Sequence, residues 1–382
     1  MNIAIDIRPL MAGARTGVGE YTVELINALL KIDSTNQYFL YYNSARAIEK
    51  NLPIWSAPNV KIIATKYPNK LFNFFLKIFK FPRLDKLIAK KAKIKKVDVF
   101  ISPNLGFVAL QKNTRHILTI HDLSFEFFPE FFTLKQRFWH KLTSPRALCK
   151  RAHLIITPSE NTKRDLIDYY NLSPEKIAVI YPALSPDFTP ATPEQISNIK
   201  KKYNLPEKFF LFLGTIEPRK NIIALIDAYE KIFSSLSFPY QLIIAGAQGW
   251  KNNKILIRAK NSPLKDKIKI IGYVAAADKP ALYASANIFV YPSFYEGFGF
   301  PVLEAIASGV PVITSNRSSV PEITGSAAYL INPLNPLEIS GAIKILTTDS
   351  ALRTIQIQKQ LTATKNFSWE KSARQLLALL SL

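Results

Sequence analysis

Short, wholly apolar runs alternate with helix-periodic stretches along nearly the whole chain, and this alternation leaves few folds open. A run such as FFLFLG at 209–214 has no polar face, so a strand made from it must be covered on both sides. Parallel sheets flanked by helices provide that cover. The first half reads as strands near 3–8, 38–42, 60–64, 97–102, 116–120, 154–157 and 178–180, with helices near 18–31, 71–95, 134–150 and 160–170. After 209–214, further strands are expected near 241–245, 267–271, 288–291, 311–314 and 328–331, with helices among them up to residue 365. Between the halves, YPALSPDFTPATPEQ at 181–195 holds four prolines and reads as a linker. A chain of 382 residues also exceeds what one hydrophobic core comfortably serves. The expectation is an α/β protein with a Rossmann-like domain over 1–185 and a second over 186–366. A closing segment, 367–382, carries a short amphipathic helix, Trp369–Leu380, that reaches back to the first domain.

Several classes are set aside by composition. No apolar run reaches the ~18 residues of a spanning helix, and MNIAIDIRPL alternates like a strand and lacks the parts of a signal peptide. A cytoplasmic protein is expected, peripheral at most on the inner face of the cell membrane. Cys149 is the one cysteine, so neither an internal disulfide nor a cysteine-held metal is expected. The net charge of +22 lies mainly in the first 185 residues and asks for an anionic partner. Residues 70–96 hold ten cations and one acid, Asp85, interleaved with Leu71, Phe72, Phe74, Phe75, Leu76, Ile78, Phe79 and Phe81. That segment fits a domain helix with solvated lysines or a contact with an anionic membrane surface. Nucleic acid ranks last and is not expected, because no recognition motif accompanies the charge.

In open parallel sheets ligands bind beyond the carboxyl ends of the strands, so the residues that follow each strand come first. GTIEPRKN at 214–221 offers Gly214 for a tight exit, the cations Arg219 and Lys220, and Asn221 as a helix cap. A diphosphate suits that set, although a solvated loop has the same composition. YPSFYEGFGFPVLEAIASGVPVITS at 291–315 runs from strand through Gly297 and Gly299 into a helix, with Glu296 in the loop and Glu304 about one turn in. Carboxylates so placed accept hydrogen bonds from sugar hydroxyls, or merely complement the helix dipole. In the first half, Gly17 and Gly19 precede a helix and allow close backbone approach, and HILTIHD at 116–122 ends a strand with His121 and Asp122. His116, His140 and His153 read as structural.

Residues 214–221 and 272–315 together, with GYV at 272–274, ALYASANIFVYPS at 281–293 and VPEI at 320–323, resemble glycosyltransferase family 4 of the GT-B superfamily. The pair Glu296 and Glu304 matches that family's E-x7-E motif. The resemblance implies two Rossmann-like domains facing across a cleft and a retaining, metal-independent hexosyl transfer. It places Glu296 by the donor sugar hydroxyls, Glu304 on the ribose, and Arg219 and Lys220 on the diphosphate. The backbone of Gly297, Phe298, Gly299 and Phe300 would line the pocket, Gly17 and Gly19 approach the donor phosphate, and His121 faces the sugar. Asp122 orients His121 or caps the next turn. The GVG pattern departs from the family's Gly-Gly pair, and Ser326 and Asn332 stand where relatives often carry acids. IDIRPL, RTGVGEYT and HDLSF resemble members that build bacterial surface polysaccharide with mannose. The expected co-substrate is therefore a nucleotide sugar, GDP-mannose favoured over UDP- or ADP-sugars, with no further cofactor and a glycan or lipid-linked acceptor. A nucleotide-sugar-binding protein without turnover is the alternative. A dehydrogenase ranks below it, because no G-x-G-x-x-G follows a strand with an acid about twenty residues on.

Overall fold

The computed structural model describes residues 1–11, 17–46, 52–185 and 187–381. Positions 12–16 of the N-terminal glycine loop therefore lie outside the described residues. Two units are found. One comprises Met1–Leu123, Lys135–Ala183 and Ser368–Leu382, and the other Ser124–Leu134 and Leu184–Phe367.

In the first unit, β1 (Asn2–Asp6), β2 (Gln37–Asn43), β3 (Val60–Thr65), β4 (Val99–Ser102), β5 (Arg115–Thr119), β6 (Leu154–Thr157) and β7 (Ile177–Val179) form one parallel sheet. Its order is β3-β2-β1-β4-β5-β6-β7. The helix Trp369–Leu380 buries Ala373, Leu376 and Leu380 in the same core as Leu25, Ile26 and Leu29 of the helix Gly17–Ile32. Arg115 ties it down by donating to the carbonyls of Leu379 and Leu380, which lie in the helix's last turn where cations are favoured.

The second unit repeats the plan with β8 (Phe209–Leu213), β9 (Gln241–Ala245), β10 (Ile268–Gly272), β11 (Ile288–Tyr291), β12 (Val312–Ser315) and β13 (Tyr329–Ile331), also parallel, in the order β10-β9-β8-β11-β12-β13. All five residues of β8 are buried, as a central strand covered on both faces requires, whereas the edge strand β10 is only half-buried throughout. The carboxyl ends of β8 and β9 crowd together. At Gly246, with φ 132°, a Cβ would lie 1.9 Å from the Gly214 carbonyl oxygen, so only glycine fits. In each sheet the strand order reverses once, between β1 and β4 and between β8 and β11.

Several expected helices have different limits. The helix expected over 71–95 is two, Asn69–Ile78 and Leu84–Ala92. Pro82 cannot donate to a continuing helix, and Lys80 is left-handed at φ 51°. The stretch 134–150 likewise divides into Leu134–Thr143 and Pro145–Arg151, with Ser144 left-handed and Pro145 in the first turn of the second helix. The proline-rich linker ends early, because a helix spans Pro193–Lys202. Thr192 and Gln195 form a reciprocal capping box around Pro193, which occupies the one helical position that does not need its missing N–H. Gly17 and Gly19 lie inside the first turn of the helix Gly17–Ile32 rather than before it.

Candidate functional site

The cluster in the second unit lies where the strand order reverses, beyond the carboxyl ends of β8 and β11. Gly214 leaves β8 against the Tyr291 ring, where a Cβ would come within 3.2 Å of Cε2. A 3-10 turn, Pro218–Lys220, then presents Arg219 and Lys220. From the other side, the loop after β11 brings in Ser293 and Glu296. Lys220 Nζ donates to Glu296 Oε1 at 2.6 Å, Ser293 Oγ to the same oxygen at 2.6 Å, and Arg219 Nη1 to Oε2 at 3.1 Å. Arg219 also donates to the Tyr295 carbonyl at 2.7 Å and to Glu217 Oε1 at 2.9 Å. Lys220 sits 5.3 Å from the centroid of the Tyr291 ring.

Glu217, Lys220 and Glu296 are all buried, so their charges act in a low-dielectric setting. Burial alone would raise the Glu296 carboxyl. The charges of Lys220 and Arg219, with hydrogen bonds from Lys220 and Ser293, outweigh it and hold the group at about 2. Burial and the neighbouring Arg219 press the Lys220 ammonium below its ordinary value, against the pull of Glu296 and Glu217. The carboxylates therefore offset part of that depression. Two cations and two carboxylates balance in this arrangement, and an incoming diphosphate has to compete with Glu296 for Arg219 and Lys220.

Glu304 lies in the helix Phe300–Ala307, whose N-cap is Gly299 at φ 103°. Tyr283 Oη donates to its Oε2 at 2.8 Å and Lys279 Nζ approaches Oε1 at 3.3 Å. A hydrogen bond to a buried charge contributes about 1.5–3 kcal/mol. Tyr283→Phe is expected to lower stability by that amount, measured by the shift of the denaturant midpoint. The loop between the two glutamates is pinned from outside: Ser318 Oγ accepts from the Glu296 amide, and Ser319 Oγ donates to the carbonyls of Glu296 and Phe298, each at 2.9 Å. Phe298 is buried, with Phe300 and Phe367 edge-on to it. Gly297 lies within this pinned loop.

Three contributors to the cluster carry no sequence signal of their own. Glu217 and Ser293 become site residues only through contacts made across the fold, and the short stretch Ser124–Leu134 packs on the loop that carries Glu296. Phe131 stacks on Phe294 at 5.5 Å, Phe127 and Phe128 face Tyr295 at 5.8 and 5.9 Å, and Trp250 Nε1 donates to the Phe131 carbonyl at 2.8 Å. Asn221 does not cap the helix Ile222–Phe233 with its side chain. That side chain donates instead to the Pro333 carbonyl at 2.6 Å.

In the first unit His121 follows β5. Its Nε2 lies 2.8 Å from the Pro103 carbonyl, which can only accept, so Nε2 carries the proton and Nδ1 is left as an acceptor in the neutral ring. Burial depresses its pKa, with the Pro103 carbonyl and Asp122 pulling the other way, so the ring is neutral near pH 7. The Tyr21 ring meets it edge-on at 4.9 Å. His116 is buried, paired with Ser102 Oγ and depressed to about 4 mainly by burial, and His153 accepts from the His116 amide. Gly19 is buried within its helix and Gly17 is exposed. Among the described residues no group of three or more His, Cys, Asp or Glu is arranged to hold a metal ion, and no helix is long and apolar enough to cross a membrane.

Comparison with known proteins adds a second line. The family model for glycosyl transferases group 1 matches residues 195–361, and that for Glycosyltransferase Family 4 matches residues 15–188. O-antigen chain mannosyltransferase B of Escherichia coli is 33% identical over 278 residues, 72% of either chain. O-antigen chain mannosyltransferase RfbU of Salmonella typhimurium is 27% identical over 331 residues, 86% of either chain. Among solved structures, a sucrose-phosphate synthase from Thermosynechococcus elongatus superposes with a TM-score of 0.76 over 99% of this chain and 98% of its own, at 20% identity. That last likeness speaks to fold alone.

Proposed function

The chain belongs to glycosyltransferase family 4, with the GT-B fold, and on that premise we propose that it transfers mannose from GDP-mannose, with retention and without a metal ion, to a glycan or lipid-linked acceptor of cell-surface polysaccharide. The observation that carries this reading is the contact of Arg219, Lys220 and Glu296 at the point where the strand order reverses. Mannose is supported by the names of the O-antigen relatives.

In the proposed reaction the anomeric C–O bond to the diphosphate breaks and a bond to the acceptor oxygen forms on the same face. The acceptor's proton passes to the departing phosphate oxygen. Arg219 and Lys220 stabilise the charge that develops on that oxygen, a role for preorganised cations that replaces a metal. As the diphosphate engages the cations, Glu296 is released to accept hydrogen bonds from sugar hydroxyls, and Glu304, held by Tyr283 and Lys279, takes the ribose. Roles for His121, Gly17, Gly19 and the backbone of Gly297 to Phe300 in donor binding rest on the family resemblance. The acceptor's lipid would keep the enzyme at the inner face of the cell membrane, where residues 70–96 meet anionic lipid.

A thermal-shift panel of nucleotide sugars tests the donor. GDP-mannose at 100 times its Kd is expected to add about 2.7 kcal/mol of stability, and to be turned over at a rate that a chelator leaves unchanged. Greater stabilisation and turnover with a UDP- or ADP-sugar would replace the donor assignment. NMR of the product reports whether the anomeric configuration of the donor is kept.

A further inference from the structure

The first unit has a cavity of about 630 Å3 that the proposed reaction does not use. Its wall includes Thr114 and His116 at the start of β5, so it lies at the amino-terminal edge of the sheet. His121 lies beyond the other end of the same strand, about 16 Å away at roughly 3.3 Å per residue. Lys80, Arg83, Lys86, Lys112 and Arg151 line the cavity, and no acid does. Among the described residues none of these five is in an ion pair.

The cavity is built rather than incidental. Asp85, the one acid of 70–96, is buried and accepts from the Gln111 amide at 3.2 Å and Thr114 Oγ1 at 3.0 Å. It spends its charge holding the wall together instead of neutralising the lysines. Arg83 is aimed by its bond to the Leu110 carbonyl at 2.7 Å, and the Leu84 amide donates to the Ala109 carbonyl.

Beside the cavity stands an apolar ridge. Lys80 falls between Phe79 and Phe81, which are 60% and 64% exposed, and Leu71, Phe74, Phe75 and Ile78 are exposed on the preceding helix. Phe74, Phe75 and Phe79 lean on one another with centroids 5.4–6.2 Å apart. Six exposed large apolar side chains between residues 71 and 81 mark an interaction site. An anionic lipid surface complements both halves at once, phosphate for the cations and acyl chain for the rings. Bases would need rings splayed to stack on, and these rings are packed against each other.

The geometry points to an anionic phospholipid headgroup as the occupant, its phosphate among Lys80, Arg83, Lys86, Lys112 and Arg151, with Phe79 and Phe81 entering the bilayer beside it. This deepens the membrane-surface reading given above and rests on it. The test sediments the full chain with vesicles of phosphatidylcholine alone and of phosphatidylcholine and phosphatidylglycerol in equal parts. Two triple variants are compared: Lys80→Gln/Lys86→Gln/Lys112→Gln in the cavity and Lys91→Gln/Lys93→Gln/Lys95→Gln outside its lining, all six positions being exposed. Binding to the anionic vesicles alone is expected, falling roughly 100-fold in the cavity variant and less than about tenfold in the other, since the cavity lysines meet the phosphate directly and the others feel only the screened surface potential. Donor turnover in solution is expected to be unchanged in both. Equal losses in the two variants would overturn the cavity while leaving the membrane reading intact. Absence of wild-type binding to either vesicle would overturn both. Competition by single-stranded RNA, or a melting-temperature rise with glycerol phosphate in the absence of vesicle binding, would overturn the lipid assignment.

Discussion

Arg219→Ala is expected to lower the turnover number at saturating donor by about 100- to 1,000-fold, or 2.7–4 kcal/mol of barrier, the cost of removing one preorganised donor from a developing oxyanion. The reasoning starts from charge balance. With no ligand Arg219 and Lys220 are matched by Glu217 and Glu296, so the cluster offers no net attraction to an anion at long range. Its advantage for transfer is geometric: the Arg219 guanidinium is already fixed by the Tyr295 carbonyl and Glu217 and does not reorganise as the leaving group gains charge. That benefit falls on the transition state more than on the bound donor, so the turnover number should drop further than the Michaelis constant rises. Arg219→Lys keeps a charge but cannot reproduce the fork that reaches Tyr295, Glu217 and Glu296 together, and an intermediate loss is expected. Nucleotide release followed over a range of donor concentrations reports both constants. A fully active Arg219→Ala enzyme would remove the cation from the mechanism.

The strands are the legible part of this chain. Thirteen strands read from the sequence correspond to β1–β13 with ends shifted by a residue or two, most plainly where, as in β8, a strand covered on both faces leaves an unbroken apolar signature. The rule that ligands gather beyond carboxyl ends then pointed to 214–221 and 291–304, and Arg219, Lys220 and Glu296 do meet in space. Prolines are where the sequence misleads most, since the same residue that ends a helix also starts one. Pro82 separates two helices and Pro145 opens another, while Pro193, read as part of a linker, sits at a helix start behind the Thr192 cap. What was not legible is whatever depends on contacts between distant segments. Glu217 looks like any loop glutamate until Arg219 folds back on it, and the aromatic stretch at 124–134 gives no hint in its own composition that Phe131 will stack on Phe294. The cationic cavity is assembled from residues near 80, 110 and 150. Its formation follows from sheet order, which brings β4, β5 and β6 side by side, and no local pattern encodes that.

Glu296 carries the second large effect, and it is one of stability. Removing one partner of a buried ion pair leaves the other charge without compensation, at about 3–5 kcal/mol. Glu296→Ala strands Lys220, which is buried against the Tyr291 ring with Arg219 beside it, so destabilisation of the second unit in that range is expected. The same pair makes stability depend on pH with a definite sign. The carboxyl is held at about 2 in the folded protein against an ordinary 4.5, so the folded state binds its proton less readily than the unfolded chain. Its contribution is fully present above pH 4.5 and is lost as the pH falls from there through 2. A shift of that size corresponds to on the order of 3 kcal/mol. Other carboxylates titrate nearby, so the informative quantity is the difference in stability between the wild type and Glu296→Gln, followed by amide exchange in β8 and β11 from neutral pH to about 2.5. The two should diverge most above pH 4.5 and draw together toward pH 2.5, because the unfolded wild-type chain then takes up a proton that the folded protein still largely excludes. Parallel curves across the whole range would mean that Glu296 is not held as the anion between Arg219 and Lys220, and the proposed exchange of partners on donor binding would lose its starting state.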